Sequence, residues 1–314
     1  MSTRTPCWEP VPFVLAYRIG EITLFRTQWR GLALHEHFFD LTTDPNEPHP
    51  PIERLRKDTE VIITRSHPVR ESLPVLTMQG GALRYVMAQY TRYYTELTGD
   101  FDSYLAKFSA KTRNTLRRKV RRFLELGNAC AMREYKRPEE MEEFQRLAGA
   151  VSVLTYQEKL FDAGLPLGPE FLGELIDLAK LDSVRAYVLS IDGRAIAYLC
   201  CPVVNGVLLY SYLGYDPSYG HLSPGTVLQY LVFETLFGQK AFRAFDFTEG
   251  QGEHKKFFAT QKTPCADICY FRDAASARFW VGLHRGVGGL SMVAGRALET
   301  LGMKSVVKRF LRRL

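Results

Sequence analysis

The chain is 314 residues long, 46% hydrophobic, and carries a formal net charge of +7. Such a length and apolar fraction allow one or two domains with a sizeable core. The six cysteines (Cys7, Cys130, Cys200, Cys201, Cys265, Cys269) lack paired metal-ligand spacing and read as core thiols of a reducing compartment. No leader-like apolar stretch opens the sequence and no 18-residue uncharged run occurs in it, so a cytoplasmic protein that does not cross a membrane is expected.

Residues 1–98 carry the weakest pattern, with short strands expected over 13–19, 21–29 and 61–65 and a proline-rich surface loop at 44–55. A strand over 93–97 then leads to a helix that starts at Phe101 under Asp100 as N-cap. Between Lys107 and Arg122 stand eight basic residues and no acidic one. That run contributes +8, so charge is concentrated on one helix. Leu116, Val120, Phe123 and Leu124 give it an apolar stripe at i, i+4, i+7 and i+8. Three readings of the basic face stay open: a solvated surface, a site where arginine forks grip phosphate, or a nucleic-acid surface, for which no zinc-finger, helix-turn-helix or RNA-binding signature is present. Helices are also expected over 138–152 and over 171–181, the second with Leu172, Leu175, Ile176 and Leu178 inward.

Strands are expected over 184–191, 195–204 and from 207. Asp192-Gly193 and Asn205-Gly206 join them, and both pairs suit the positive φ angles of type I′ hairpin turns. The third strand runs into a loop punctuated by Pro217, Gly220, Pro224 and Gly225, then into a helix that Gly238 is expected to stop. Unpaired N–H groups and the helix dipole make such a start an anion site that a diphosphate fits. Ser223 is the expected cap, Pro224 suits the first turn, and Gly225 lets a ligand approach the backbone. The same loop also reads as an ordinary helix start. A further strand over 243–248 must run parallel to the strand before the helix if both share a sheet.

FSAKTRNTLRR at 108–118, Gly193-Arg194, GYDPSYGHLSPGTVL at 214–228 and FDFTEGQGEHKKFF at 245–258, in this order, resemble the GNAT acyltransferase superfamily. More closely they resemble its branch of cellulose-biosynthesis-type acetyltransferases, which is similar to the FemAB peptidoglycan aminoacyl transferases. The resemblance covers most of 100–272. It implies an α/β (α+β) fold with a mixed, mostly antiparallel sheet flanked by helices. It also implies three segments: 1–98 as a degenerate first copy of the fold or an unrelated extension, 99–272 as the acyltransferase domain, and 273–314 as a helical tail. Acetyl-CoA is the implied donor, lying along 207–215 against Leu213, Tyr215, Gly220, Ser223, Gly225 and Thr226, with its pyrophosphate at 220–226. The acyl group would sit where 207–215 and 243–248 splay apart. Arg113, Arg117, Tyr156 and Lys255 would face the acceptor. Asp246, Gly250 and Lys255 stand at positions the family favours, and His254 stands where the family commonly has an aromatic residue.

Acyl transfer from a thioester needs a base for the acceptor, donors for the oxyanion and an acid for the leaving thiolate. His254, Asp246 and Glu249 are the candidate bases, N–H groups around 213–215 the donors, and Tyr215 or Tyr219 the acid. Asp246 paired with Lys255 is the structural alternative. Without a GxSxG motif or a cysteine in a nucleophile's context, direct transfer is favoured over an acyl-enzyme. The expected acceptor is an amine or hydroxyl of a sugar, a polysaccharide precursor or another small metabolite, and no metal is expected. Two alternatives remain: a transferase that uses aminoacyl-tRNA, with the basic helix as its tRNA surface, and a non-catalytic binding protein. The tail KSVVKRFLRRL at 304–314 interleaves Val306, Val307, Phe310 and Leu311 with five basic residues. It can lie on an anionic inner-membrane surface or pack its apolar stripe on the domain.

Overall fold

A computed structural model describes residues 7–20, 22–35, 37–41, 50–55, 58–126, 130–158, 164–250 and 252–300, with backbone alone at 156–158 and 292–300. The chain forms two compact units: Met1–Tyr90 with Pro264–Leu314, and Thr91–Thr263. In chain order the first unit opens with β1 (Trp8–Ile19), β2 (Ile22–Leu34), β3 (Val61–Pro68), β4 (Leu76–Gln79) and β5 (Ala82–Glu96). The second holds α1 (Phe101–Ala106), α2 (Ala110–Leu124), β6 (Ala131–Tyr135), α3 (Met141–Glu158), α4 (Pro169–Lys180), β7 (Val184–Ile191), β8 (Arg194–Val204), β9 (Val207–Leu209), β10 (Tyr212–Tyr215), α5 (Pro224–Gln239), β11 (Ala244–Asp246) and α6 (Glu253–Phe258). The chain then returns through β12 (Gln261–Arg272) to α7 (Ala275–Thr300). Both changes of unit fall inside strands, β5 and β12, rather than at the expected divisions of 98 and 272. No punctuation in the sequence marks such a change, because the strand pattern continues through it. Among the described residues no helix is long and apolar enough to cross a membrane. The basic segment 304–314 lies outside the described residues.

In the first unit β1 and β2 form a long antiparallel hairpin, β2 runs parallel to β3, and β3 pairs antiparallel with β12. Alternation along β1 turns Phe13, Leu15 and Tyr17 inward, where Ala277 and Val281 of α7 pack against them. His284 of α7 joins that interface with its Nδ1 2.8 Å from the Tyr85 hydroxyl. Burial pushes the His284 imidazole below its ordinary pKa and the Tyr85 phenol up to about 12.

The second unit has the mixed, mostly antiparallel α/β arrangement that the sequence motifs imply. β6, β7 and β8 are antiparallel neighbours, β8 pairs with β9, and β9 runs parallel to β11, which pairs antiparallel with Thr95 and its neighbours in β5. Both hairpin turns have their central residues at positive φ: Asp192 at 50° and Gly193 at 75°, Asn205 at 49° and Gly206 at 75°. The pleat sends Cys200 into the core layer under α3 and α4 and Cys201 into the layer around α5. α5 is buried around most of its circumference by Val227, Leu228, Val232, Phe233 and Leu236. It runs one residue past Gly238 and closes on Lys240 in the left-handed region at φ 53°, so Gly238 is not the stop. In α2, Leu116, Val120 and Phe123 are buried as the stripe requires, but Leu124 is 50% exposed. One residue beyond Phe123 turns about 100° around the helix and carries the side chain past the edge of the packed face.

The buried imidazole yields a stability prediction. A histidine held neutral in the folded state gains a proton more readily when unfolded, from about pH 6.5 downward. The Tm of the wild type should therefore fall as pH drops through 6.5, and His284→Gln should flatten that part of the profile in thermal melts between pH 8 and 5.5. Parallel profiles for the two proteins would contradict it.

Candidate active site

The geometry starts with one residue too many. Opposite β8, Val204 faces Val207 and Val203 faces Leu208, yet Cys200 faces Tyr212. Three steps along β8 thus match four steps along β9 and β10, which is the signature of a bulge at Tyr210 and Ser211. Before it, Leu209 is level with Asp246 of the parallel strand β11. After it, β10 stays with β8, and β11 ends. The Tyr210 N–H closes the shared part by donating to the Asp246 carbonyl at 2.9 Å. Thr248, at φ 59°, turns the chain away. The expected splay between 207–215 and 243–248 is therefore present.

The far edge of β10 is now exposed to the gap. Asp216 N–H donates to Ile196 O at 2.8 Å, so by strict alternation Gly214 and Tyr212 also face β8, while Leu213 and Tyr215 direct their N–H groups toward the gap. Tyr215 is already engaged: its N–H donates to Thr155 Oγ1 at 3.1 Å, and that hydroxyl donates to the Tyr215 carbonyl at 2.6 Å. The end of α3 thus takes both polar groups of Tyr215 and leaves Leu213 as the edge donor. Gly214 is required by its neighbour, since a Cβ there would lie 2.4 Å from Cε1 of the buried Tyr198.

Beyond β10, the 3-10 turn Pro217–Leu222 is set by Asp216, which is buried and accepts from Ser218 N–H at 3.0 Å, Ser218 Oγ at 2.7 Å and Arg194 at 2.7 Å. Burial alone would raise the Asp216 pKa, but these bonds outweigh it and hold the carboxyl below its ordinary range. Arg194, the arginine of the first hairpin, therefore anchors the loop. Ser223 does not cap α5 with its side chain: it adopts φ 55°, and its carbonyl instead accepts from Thr226 and Val227 at 2.9 and 3.1 Å. Gly225 turns toward β10, where an added Cβ would meet Leu213 and Tyr215 at 3.9 Å, and Gly220 has open space.

On the opposite side of the gap His254, exposed at the start of α6, places Nε2 3.1 Å from the hydroxyl of Tyr210, which is largely buried. A Cβ at Gly252 would come within 2.9 Å of the His254 ring, so a side chain there would displace the imidazole. Lys255 donates to the Glu249 carbonyl at 2.6 Å; the Glu249 side chain is exposed. Asp246 is fully buried and held bidentately by Arg92, with Nε 3.1 and 2.9 Å from its two oxygens, while Thr248 N–H donates to Oδ1 at 2.9 Å. Arg92 is thus a partner of this carboxylate that the sequence reading did not offer. With its oxygens so engaged, Asp246 serves as an anchor of the splay and is unsuited to accept a proton from substrate.

The remaining candidates disperse. Arg113 donates to the carbonyls of Phe108 and Ala106 at 2.6 and 3.3 Å, closing the end of α1. Arg117 reaches Asp102 at 3.5 Å. The Tyr156 side chain lies outside the described residues. α2 packs on α5 and on the 3-10 turn, with Lys111, Arg118, Arg121 and Arg122 exposed. Tyr219 lies under Arg194, the guanidinium carbon 5.5 Å from its ring centre. Tyr210, Arg92 and Gln229 were not singled out in the sequence. Only the period-two aromatics of LLYSYLGY could have flagged Tyr210. Among the described residues no three His, Cys, Asp or Glu side chains stand together as a metal site requires.

Asp246→Asn tests the anchoring role. It leaves a guanidinium buried without its counter-charge, which costs about 3–5 kcal/mol, so the urea midpoint should fall steeply. The double variant Arg92→Met, Asp246→Leu should recover much of that loss. A free catalytic base would instead be replaced at little cost in stability.

Residues 110–256 match the acetyltransferase (GNAT) domain family. No curated protein matches the sequence. Among solved structures, a conserved protein of unknown function from Bacteroides thetaiotaomicron VPI-5482 is similar in fold at 12% identity, with 83% of each chain covered and a TM-score of 0.50. FemX aligns at 10% identity over 83% of this chain and 88% of its own, with a TM-score of 0.49. The C-terminal domain of a putative lysylphosphatidylglycerol synthetase from Agrobacterium fabrum aligns at 12% identity over 71% of each chain, with a TM-score of 0.48. The matched segment begins with α2 and ends within α6, so it contains the bulge, the splay and the loop before α5. The acetyltransferase (GNAT) match thus covers a little under half of the chain, and the protein is an acyltransferase.

Proposed function

We propose that the second unit moves an acyl group, acetyl being the simplest, from acyl-CoA directly to an amine or hydroxyl of a sugar, polysaccharide precursor or other small metabolite in the cytoplasm. The observation that carries this reading is the hydrogen-bonded Tyr210–His254 pair standing at the point where β10 leaves β11. The residues present suit the donor: Gly225 leaves room against β10, the N-terminus of α5 favours phosphate, and the edge N–H of Leu213 faces the gap. Bound acyl-CoA supplies a thioester carbonyl open to attack. His254 is the proposed base for the acceptor's proton, and the Tyr210 or Tyr215 hydroxyl returns a proton to the departing sulfur. Leu213 N–H steadies the carbonyl oxygen. Glu249 is exposed beside this pair and is the second candidate base. Lys255 and the exposed arginines of α2 suit an acceptor that carries negative charge. The first unit is in this reading a degenerate copy of the fold without a donor site, and the cellulose-biosynthesis-type branch is the nearest functional setting.

Calorimetric titration with acetyl-CoA is the test. The wild type should bind, and Gly225→Glu, which sets a carboxylate where the pyrophosphate is to lie, should weaken binding at least about tenfold. His254→Gln should bind acetyl-CoA nearly as well while transferring about 10²–10⁴ times more slowly. If the wild type ignores acetyl-CoA yet binds aminoacyl-tRNA in a salt-sensitive manner, the donor is the latter and α2 is its surface.

A further inference from the structure

α5 carries one polar side chain in its sheet-facing row. Gly225, Gln229 and Phe233 are spaced four apart, so they line one face of the helix. Gly225, at one end of that row, faces Leu213 and Tyr215 of β10. At the other end, Phe233 meets Phe245 of β11 edge-on, with ring centres 5.1 Å apart, and the following Phe247 at 6.2 Å. Gln229 lies between them, one turn from each. It therefore sits at the floor of the gap that opens between β10 and β11. Helical side chains lean toward the N-terminus of their helix, which directs the Gln229 amide back toward Gly225 and the β10 edge.

That amide is 3% exposed as part of its residue, and its Nε2 meets no hydrogen-bond partner among the described residues. The core layer that α5 joins is built from apolar side chains such as Leu213, Phe233, Phe245 and Phe247. A buried donor left in this condition destabilises the fold unless a ligand oxygen completes it. Leucine or methionine at this place would pack the row without penalty.

We propose that Gln229 is a second donor to the thioester carbonyl oxygen of the acyl donor, acting with the Leu213 N–H; this rests on the acyl-CoA reading given above. As the acceptor's lone pair forms the new bond to the carbonyl carbon, the π electrons move onto that oxygen, and both donors face it. When the C–S bond breaks the electron pair leaves with sulfur, which takes up a proton equivalent to the one the acceptor lost. Gln229 is thus a catalytic residue that holds charge and transfers none.

The experiment uses the full chain and acetyl-CoA labelled with carbon-13 at the thioester carbonyl alone. Infrared difference spectra of wild type, Gln229→Met and Gln229→Leu record the labelled band, calorimetry records acetyl-CoA affinity, and melts record Tm. Two donors lower the carbonyl frequency on binding to wild type. Both variants should lose a large part of that shift, keep acetyl-CoA affinity within about tenfold, and melt roughly 2–4 °C higher because the orphan donor is gone. A labelled band at the same frequency in variant and wild type overturns the proposal, whatever happens to affinity, since the amide then reaches another part of the ligand or none. Absence of any acetyl-CoA binding to wild type overturns the acyl-CoA reading itself. Binding with an unaltered band overturns only the role of Gln229.

Discussion

Everything at the candidate site depends on two strands that begin as hydrogen-bonded neighbours and then part. A single inserted residue at Tyr210–Ser211 starts the separation. Parting strands leave backbone groups without their ladder partners, and a buried edge of that kind is unstable unless each group is answered. The chain answers most of them locally. Tyr210 N–H uses the Asp246 carbonyl, and Thr155 takes both polar groups of Tyr215. The Arg92–Asp246 pair then fixes the last residue of β11 against β5 within the same unit. A buried ion pair is rarely a net stabiliser compared with apolar packing, but it is intolerant of a shifted partner. That intolerance is what a site with a fixed gap needs. Among the described residues no bond from the Leu213 N–H at this edge is seen.

How much of this was legible in the sequence follows from the range of the interactions. The two hairpins, the helix after the third strand and the parallel return at 244–246 depend on local signals such as Asp-Gly, Asn-Gly and a strand running into Pro-Gly, and these appear as expected. The stripe of α2 was equally readable apart from its last member. Ser223 misled because serine before a helix signals a cap, whereas here the left-handed backbone carries the turn and the carbonyl does the capping. Asp246 misled for a different reason. A carboxylate in a loop motif reads as a base, and its partner Arg92 is 154 residues away in sequence. Residue type gives chemistry only after the partners are known. The bulge is less visible still, since an extra residue in one strand shows only when both strands are in register.

Charge behaves in the same way. Eight positive residues on one segment left a solvated surface, a phosphate site and a nucleic-acid surface open, and the structure divides their work. Arg113 secures carbonyls at the end of α1, Lys107 does the same for Phe258 and Ala259 at 2.6 and 3.0 Å, and Arg117 leans toward Asp102. Lys111, Arg118, Arg121 and Arg122 are also exposed, with Arg121 beside Glu125 at 3.5 Å. α2 packs along α5 and the 3-10 turn, so this reduced charge lies on a wall of the region where the donor phosphates are proposed to lie. A scattered, partly committed set of arginines is better suited to raising local anion concentration than to reading a nucleic acid.

The helix α5 shows the same tension between stability and use. Its sheet-facing row could be wholly apolar, and the helix would then satisfy packing on every side. Instead it contains a glycine that contributes no side chain at one end and a glutamine whose amide nitrogen is buried without a partner one turn later. Both departures fall on the stretch toward β10, and neither falls on the stretch at Phe233 and Leu236, which are fully buried. A fold selected for stability alone has no reason to place its two packing defects on one helix face four residues apart. A fold that admits a thin polar ligand between two strands, as proposed for the acyl donor, has reason to do so, because that face would be its floor.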